Sequence, residues 1–211
     1  MCIRDRYNAG IIDRLENEGT IQGTGNTNSE GLYNSGTIDF LSNDSTATIA
    51  SVFNTGLYNA DTINHFYNGG TLSSTNNYGL YNNSSNTIAD FINTGTISST
   101  KSTAIVNVGA ITDFENSGTI SSRTMINNVG SITNLYNSQG FATSDPLTLT
   151  GNLPTNYYVH IDSTTDYGQL SVTSGVGNMN FAITEDSVIG VPTANYTTYS
   201  TDYSTDGGTL N

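Results

Sequence analysis

Tryptophan is absent from this 211-residue sequence, cysteine occurs once, proline three times, and lysine plus arginine only five times against 18 acidic residues. A single cysteine excludes a disulfide framework or a thiolate metal cluster within the chain. A formal charge of −13 leaves too few cations to neutralise phosphates, so nucleic acid is excluded as a partner and anionic membrane surfaces are disfavoured. No stretch approaches 18 apolar residues, which excludes a transmembrane helix. The sequence also lacks a Gly-x-Ser-x-Gly elbow, a His-Glu-x-x-His pair, a phosphate loop and adjacent aspartates, and its two histidines, His65 and His160, are far apart. On these grounds the chain is not expected to be an enzyme, and no cofactor is expected.

What remains is polar and uncharged. Thr, Asn and Ser number 33, 28 and 24, two-fifths of the chain, and Gly adds 22. Internal repetition dominates their arrangement. A unit Leu-Tyr-Asn-x-Gly-x-Ile-x-x-Phe-x-Asn-x-Gly-Thr-Ile recurs with its central isoleucine at Ile12, Ile38, Ile63, Ile88, Ile111 and Ile132, at spacings of 26, 25, 25, 23 and 21. Three residues later stand Leu15, Leu41, Phe66, Phe91, Phe114 and Leu135, and two further on Asn17, Asn43, Asn68, Asn93, Asn116 and Asn137. A third apolar position follows at Ile21, Ile49, Leu72, Ile97, Ile120 and Phe141.

Each apolar element is two to four residues long and bounded by Gly or Asn, too short for helices and rich in β-branched anchors. The period fits one coil of a parallel β-helix with three short strands, stacked at roughly 4.8 Å per coil. The expected fold is therefore all-β: a right-handed parallel β-helix of about six coils, followed by a short β-rich cap. Domain limits follow from the repeat: coils over 7–141, a cap over 142–191 carrying the alternating segments Tyr157–Asp162, Gln169–Val172 and Met179–Ile183, and a Thr/Tyr/Ser-rich tail over 192–211. Apolar columns would supply the core. The Asn column, with a second through Asn8, Asn34, Asn59, Asn82, Asn107 and Asn128, is expected at turns, in left-handed backbone or as rung-to-rung amide ladders.

Two outward features are candidate sites. Tyr7, Tyr33, Tyr58 and Tyr81 precede the second Asn column, and strand alternation points them away from the core. Such a row either stabilises the sheet or contacts a partner, with Tyr33, Tyr58 and Tyr81 as the binding candidates. The residue two after each core isoleucine is Arg14, Phe40, His65, Asp90, Asp113 or Asn134. Asp90 and Asp113 are then neighbours roughly 5 Å apart. Solvent screening, a raised pKa or a weakly bound Ca²⁺ helped by Glu115 and Thr112 could each relieve their repulsion.

The repeated Asn-x-Gly-x-Ile unit resembles the passenger domains of bacterial autotransporters, the type V secreted surface proteins. Tyr158-Val159-His160-Ile161 followed by Asp166-Tyr167-Gly168-Gln169-Leu170-Ser171-Val172 is similar to the segment that closes many such passengers. The likeness covers residues 7–200. It implies a non-catalytic adhesion or interaction module at the cell surface, without cofactor, whose partners are host or neighbouring cells, glycans or a second copy. Contact with the outer membrane would come only through a C-terminal barrel lying outside this sequence. Met1-Cys2-Ile3-Arg4-Asp5-Arg6 resembles a translated sequencing adaptor, so residues 1–6 are expected to be artefact and the rest an internal piece of a longer protein. The alternatives from other classes are a piece of a carbohydrate-active β-helix enzyme and a binding rod of the phage-tail or ice-binding type.

Overall fold

The computed structural model describes residues 6–25, 29–140 and 145–187; Met1–Asp5, Phe141 and the 192–211 tail lie outside the described residues. It is a parallel β-solenoid of about seven turns with no helix among the described residues. Because Gly and Asn interrupt every apolar run, the chain turns after three to seven residues and each strand pairs with its equivalent one coil on.

Three parallel sheets result, beside a two-stranded antiparallel pair of Ile161–Ser163 with Asp166–Tyr167. The first is eight-stranded and comprises Arg6–Asn8, Leu32–Asn34, Leu57–Asn59, Leu80–Asn82, Thr103–Asn107, Thr124–Asn128, Leu147–Asn152 and Leu170–Val176. The second, also eight-stranded, runs from Ile11–Asn17 through Thr37–Asn43, Thr62–Asn68, Thr87–Asn93, Ala110–Asn116 and Ser131–Asn137 to Asn156–Val159 and Asn180–Ile183. The third has five strands, Thr20–Gly23, Thr48–Ser51, Thr71–Ser74, Thr96–Ser99 and Thr119–Ser121. Its outward Thr column, Thr20, Thr48, Thr71, Thr96 and Thr119, keeps that face free of charge.

The core is a set of columns rather than a globular centre. Ile12, Ile38, Ile63, Ile88, Ile111 and Ile132 stand side by side on the second sheet, and all but Ile12, in the first coil, are buried. Beside them Phe66, Phe91 and Phe114 stack with centroids 4.8 and 4.4 Å apart and planes within 7° and 5° of parallel. Each fully buried side chain of this size contributes roughly 1.5–3 kcal/mol by removal from water.

Both Asn columns are buried, and each Nδ2 donates to the Oδ1 of the next rung at 2.7–3.1 Å. All ten bonds run in one direction, so the amide dipoles align and reinforce one another. The second Nδ2 proton reaches a main-chain carbonyl, as from Asn43 to Thr71 and from Asn82 to Ala110, both 3.1 Å. The left-handed backbone expected for these asparagines is not adopted: among the described residues only Ser85 (φ 64°) is a non-glycine with positive φ. The asparagines earn their burial by satisfying each other, and the adjacent glycines serve close coil-to-coil approach. A Cβ on Gly95 would overlap the Gly70 carbonyl oxygen, and one on Gly118 the Gly95 oxygen.

The motif fades near residue 142, yet two sheets run on beyond it. Leu147–Asn152 pairs in parallel with Thr124–Asn128, and Asn156–Val159 with Ser131–Asn137, so the expected cap is built as further solenoid turns. Among the described residues the third sheet ends at Thr119–Ser121. There the Gln139 side chain takes the place of a strand, its Oε1 accepting from Ile120 N at 2.7 Å and its Nε2 donating to Ile120 O at 2.9 Å. The ladders end as well: Asn128 Nδ2 donates to Asn152 O (2.7 Å) and Asn137 Nδ2 to the Tyr157 hydroxyl (3.3 Å). Arg6, counted with the expected artefact, occupies the slot paired with Leu32 in the first strand.

Burial pushes the Tyr157 phenol well above the usual tyrosine range, partly offset by the Asn137 amide. A raised folded-state pKa gives stability that is complete below the unfolded value of about 10 and is lost as pH rises through the folded one. Urea unfolding midpoints should therefore fall above about pH 10, and Tyr157→Phe should flatten that decline. An equally steep decline in the variant would assign it to other tyrosines.

Candidate functional site

Tyr7, Tyr33, Tyr58 and Tyr81 are register partners along the first sheet. Their rings stack at 5.4, 5.0 and 5.0 Å with interplanar angles of 18°, 13° and 24°, and Tyr78 joins Tyr81 at 5.6 Å. Tyr7 is 56% exposed and the other three are half-buried. Partial burial and the neighbouring Tyr81 and Tyr33 raise the Tyr58 phenol above its ordinary value. Stacking has a chemical consequence. Rings spaced this closely cover one another's faces, so the strip presents edges and hydroxyls in a row. It can contact a partner by edge-on aromatic packing and hydrogen bonds, whereas a sugar ring would find few free faces. Val106 and Asn127 continue the column beyond Tyr81.

The Asp90–Asp113 neighbours are real register partners. Besides the solvent screening expected from sequence, with the Asp90 side chain 46% exposed, each carboxylate has a partner outside the pair. Asp90 Oδ2 lies 2.8 Å from His65 Nδ1 on the preceding coil, and Asp113 Oδ1 accepts from Asn134 Nδ2 at 2.7 Å on the following one. Each carboxylate is thus drawn away from the other. Among the described residues no three His, Cys, Asp or Glu side chains group so as to hold a metal ion. The polar chain continues outward, with Asn156 donating to Asn134 and Asn180 to Asn156 at 2.7 and 2.9 Å.

Two arrangements escape a reading of the sequence. His160 lies between carboxylates, with Nε2 3.1 Å from Asp162 and Nδ1 3.4 Å from Asp186, while Thr184 Oγ1 sits 2.9 Å from Nδ1. Bonding to Thr184 and to its own main chain, with His160 beside it, lowers the Asp186 carboxyl below its usual value. No short motif could signal this cluster, because 26 residues separate His160 from Asp186. The other is a serine column: Ser51, Ser74 and Ser99 are buried, and each hydroxyl bonds the main chain of the coil before it. Its signal was present, a Ser two residues after the third apolar anchor in three successive repeats.

Compared with known proteins, the chain matches no family model, no curated protein and no solved structure.

Proposed function

We propose that this chain is a non-catalytic interaction rod, displayed on a bacterial cell surface in the manner of an autotransporter passenger and acting in adhesion or self-association. The observation that carries the reading is the Tyr7–Tyr33–Tyr58–Tyr81 stack, a partly exposed aromatic row fixed on a rigid sheet. Aromatic residues concentrate at protein interfaces, where they supply large contact area at little cost in side-chain entropy. The parallel solenoid supports the reading because it is the architecture that the passenger resemblance implies. With ring faces taken up by stacking, the partner is a protein surface or a second copy that meets edges and hydroxyls, ahead of a glycan stacked on a ring.

The test is the double variant Tyr33→Ser with Tyr58→Ser. It removes all three contacts of the stack, which cost about 0.2–1 kcal/mol each as cross-strand pairs, and leaves every buried column in place. Sedimentation velocity and the clustering of protein-coated beads should both show association lost at least tenfold, with the circular dichroism spectrum unchanged. Undiminished association of the folded variant would leave the stack with a sheet-pairing role only.

A further inference from the structure

A second face carries chemistry that the tyrosine stack does not use. On the outer side of the second sheet, Tyr67, Ile92, Glu115, Tyr136 and Tyr158 form one column and His65, Asp90, Asp113 and Asn134 the next. Between them lies an open groove of about 250 Å³, lined by Asp90, Phe91, Ile92, Asp113, Glu115 and Tyr136. Ile92 is 36% exposed there and provides an apolar floor beside three carboxylates. Tyr158 covers one face of the Tyr136 ring, with centroids 4.4 Å apart and planes within 10°. The other face looks back along the rod towards Glu115, its register partner on the preceding coil.

The groove's charge is not answered from within the described chain. Arg14 is held by Glu16 and lies over the Phe40 ring, and Lys101 donates to Asn76. Among the described residues no lysine or arginine pairs with Asp90, Asp113 or Glu115; Asp90 has only His65. Burial raises the Tyr136 phenol above its ordinary value, and the neighbouring Tyr158, Asp113 and Glu115 add to the rise.

We infer that the groove on the second sheet is a docking surface for an arginine-bearing segment of a partner protein, the guanidinium stacking on the free face of Tyr136 and meeting the carboxylates of Glu115 and Asp113. Charge complementarity selects a cation, since the chain carries a net −13. The combination of a ring face with adjacent acid groups selects arginine over lysine, because a guanidinium is planar, weakly hydrated and able to fork between oxygens. The apolar stem of the arginine covers Ile92. This surface is separate from the tyrosine stack, so its failure leaves the proposed function standing.

The probe is the blocked peptide Gly-Arg-Gly-Arg-Gly, with its lysine counterpart, titrated into the whole chain and followed by NMR chemical shifts at low salt. Two variants each remove two charges: Asp113→Asn with Glu115→Gln in the groove, and Asp13→Asn with Asp61→Asn away from it. A third, Tyr136→Leu, removes the ring face alone. The groove pair and Tyr136→Leu should each weaken arginine binding at least fivefold, the distant pair less than twofold, and the lysine peptide should bind at least threefold more weakly. Equal loss in the two charge-removed variants would reduce the binding to the general field of the protein and overturn the proposal. So would unchanged affinity in Tyr136→Leu, or equal affinity for the two peptides.

Discussion

Replacing Asn68 with alanine is expected to destabilise the rod by about 3 kcal/mol, because it leaves two buried groups without partners. Asn68 is fully buried; its Oδ1 accepts from Asn43 Nδ2 at 2.8 Å, and its Nδ2 donates to Asn93 Oδ1 at 2.7 Å. Removing the amide orphans a donor below and an acceptor above in a space closed to water, and an unsatisfied buried group costs about 1–3 kcal/mol. Asn17→Ala makes the comparison, because Asn17 sits in the first described coil and its ladder bond is the single one to Asn43 at 2.9 Å. Its loss should cost about 1 kcal/mol, the ordinary net worth of one such bond. Urea unfolding of the two variants checks the ratio. Equal shifts would mean that the amides act separately rather than as a ladder.

The second large effect is expected at Phe91. Its ring is fully buried between Phe66 and Phe114, at 4.8 and 4.4 Å. Truncation to alanine removes two stacking contacts and leaves a void that stacked β-strands, hydrogen-bonded on both sides, have little freedom to fill. The expected cost is about 4 kcal/mol, within the range for aromatic-to-alanine changes in cores. Phe91→Leu keeps most of the volume and should cost less than about 2 kcal/mol. Because a solenoid's coils interact mainly with their neighbours, Phe91→Ala should also open the rod in its middle first. Hydrogen exchange resolved by residue would show amides of Thr87–Asn93 and its two flanking strands losing protection ahead of those near Ile126 and Leu149.

The fold was legible because one period governs the chain. Ile38, Ile63 and Ile88, spaced by 25, can share a column only if each coil stacks on the last, and that fixed sheet pairing and register together. The same period placed Asp90 beside Asp113 and Tyr33 beside Tyr58. Four things were not legible. The asparagine ladder was foreseen, but the left-handed backbone expected with it is not adopted, since local propensity says nothing of a partner 25 residues away. The turns after residue 142 lost the motif, with Gly151 and Val159 in the slots of Asn128 and Asn137, although their parallel pairing persists. Gln139 has no counterpart in other repeats, so its edge-capping role had no pattern to reveal it. Ring orientation depends on side-chain torsions, so spacing could point the tyrosines outward without showing that their faces are consumed.

Buried columns hold the rod and exposed tyrosines serve its contacts, so stability and binding should be separable by mutation. The most direct measurement is adhesion of protein-coated beads to cells and to one another at a temperature where every variant is folded, comparing the wild type with Asn68→Ala and with Tyr33→Ser plus Tyr58→Ser. The account predicts that Asn68→Ala binds as the wild type does despite its lower stability, and that the tyrosine variant, though folded, does not bind. Wild-type binding by the folded tyrosine variant would contradict it.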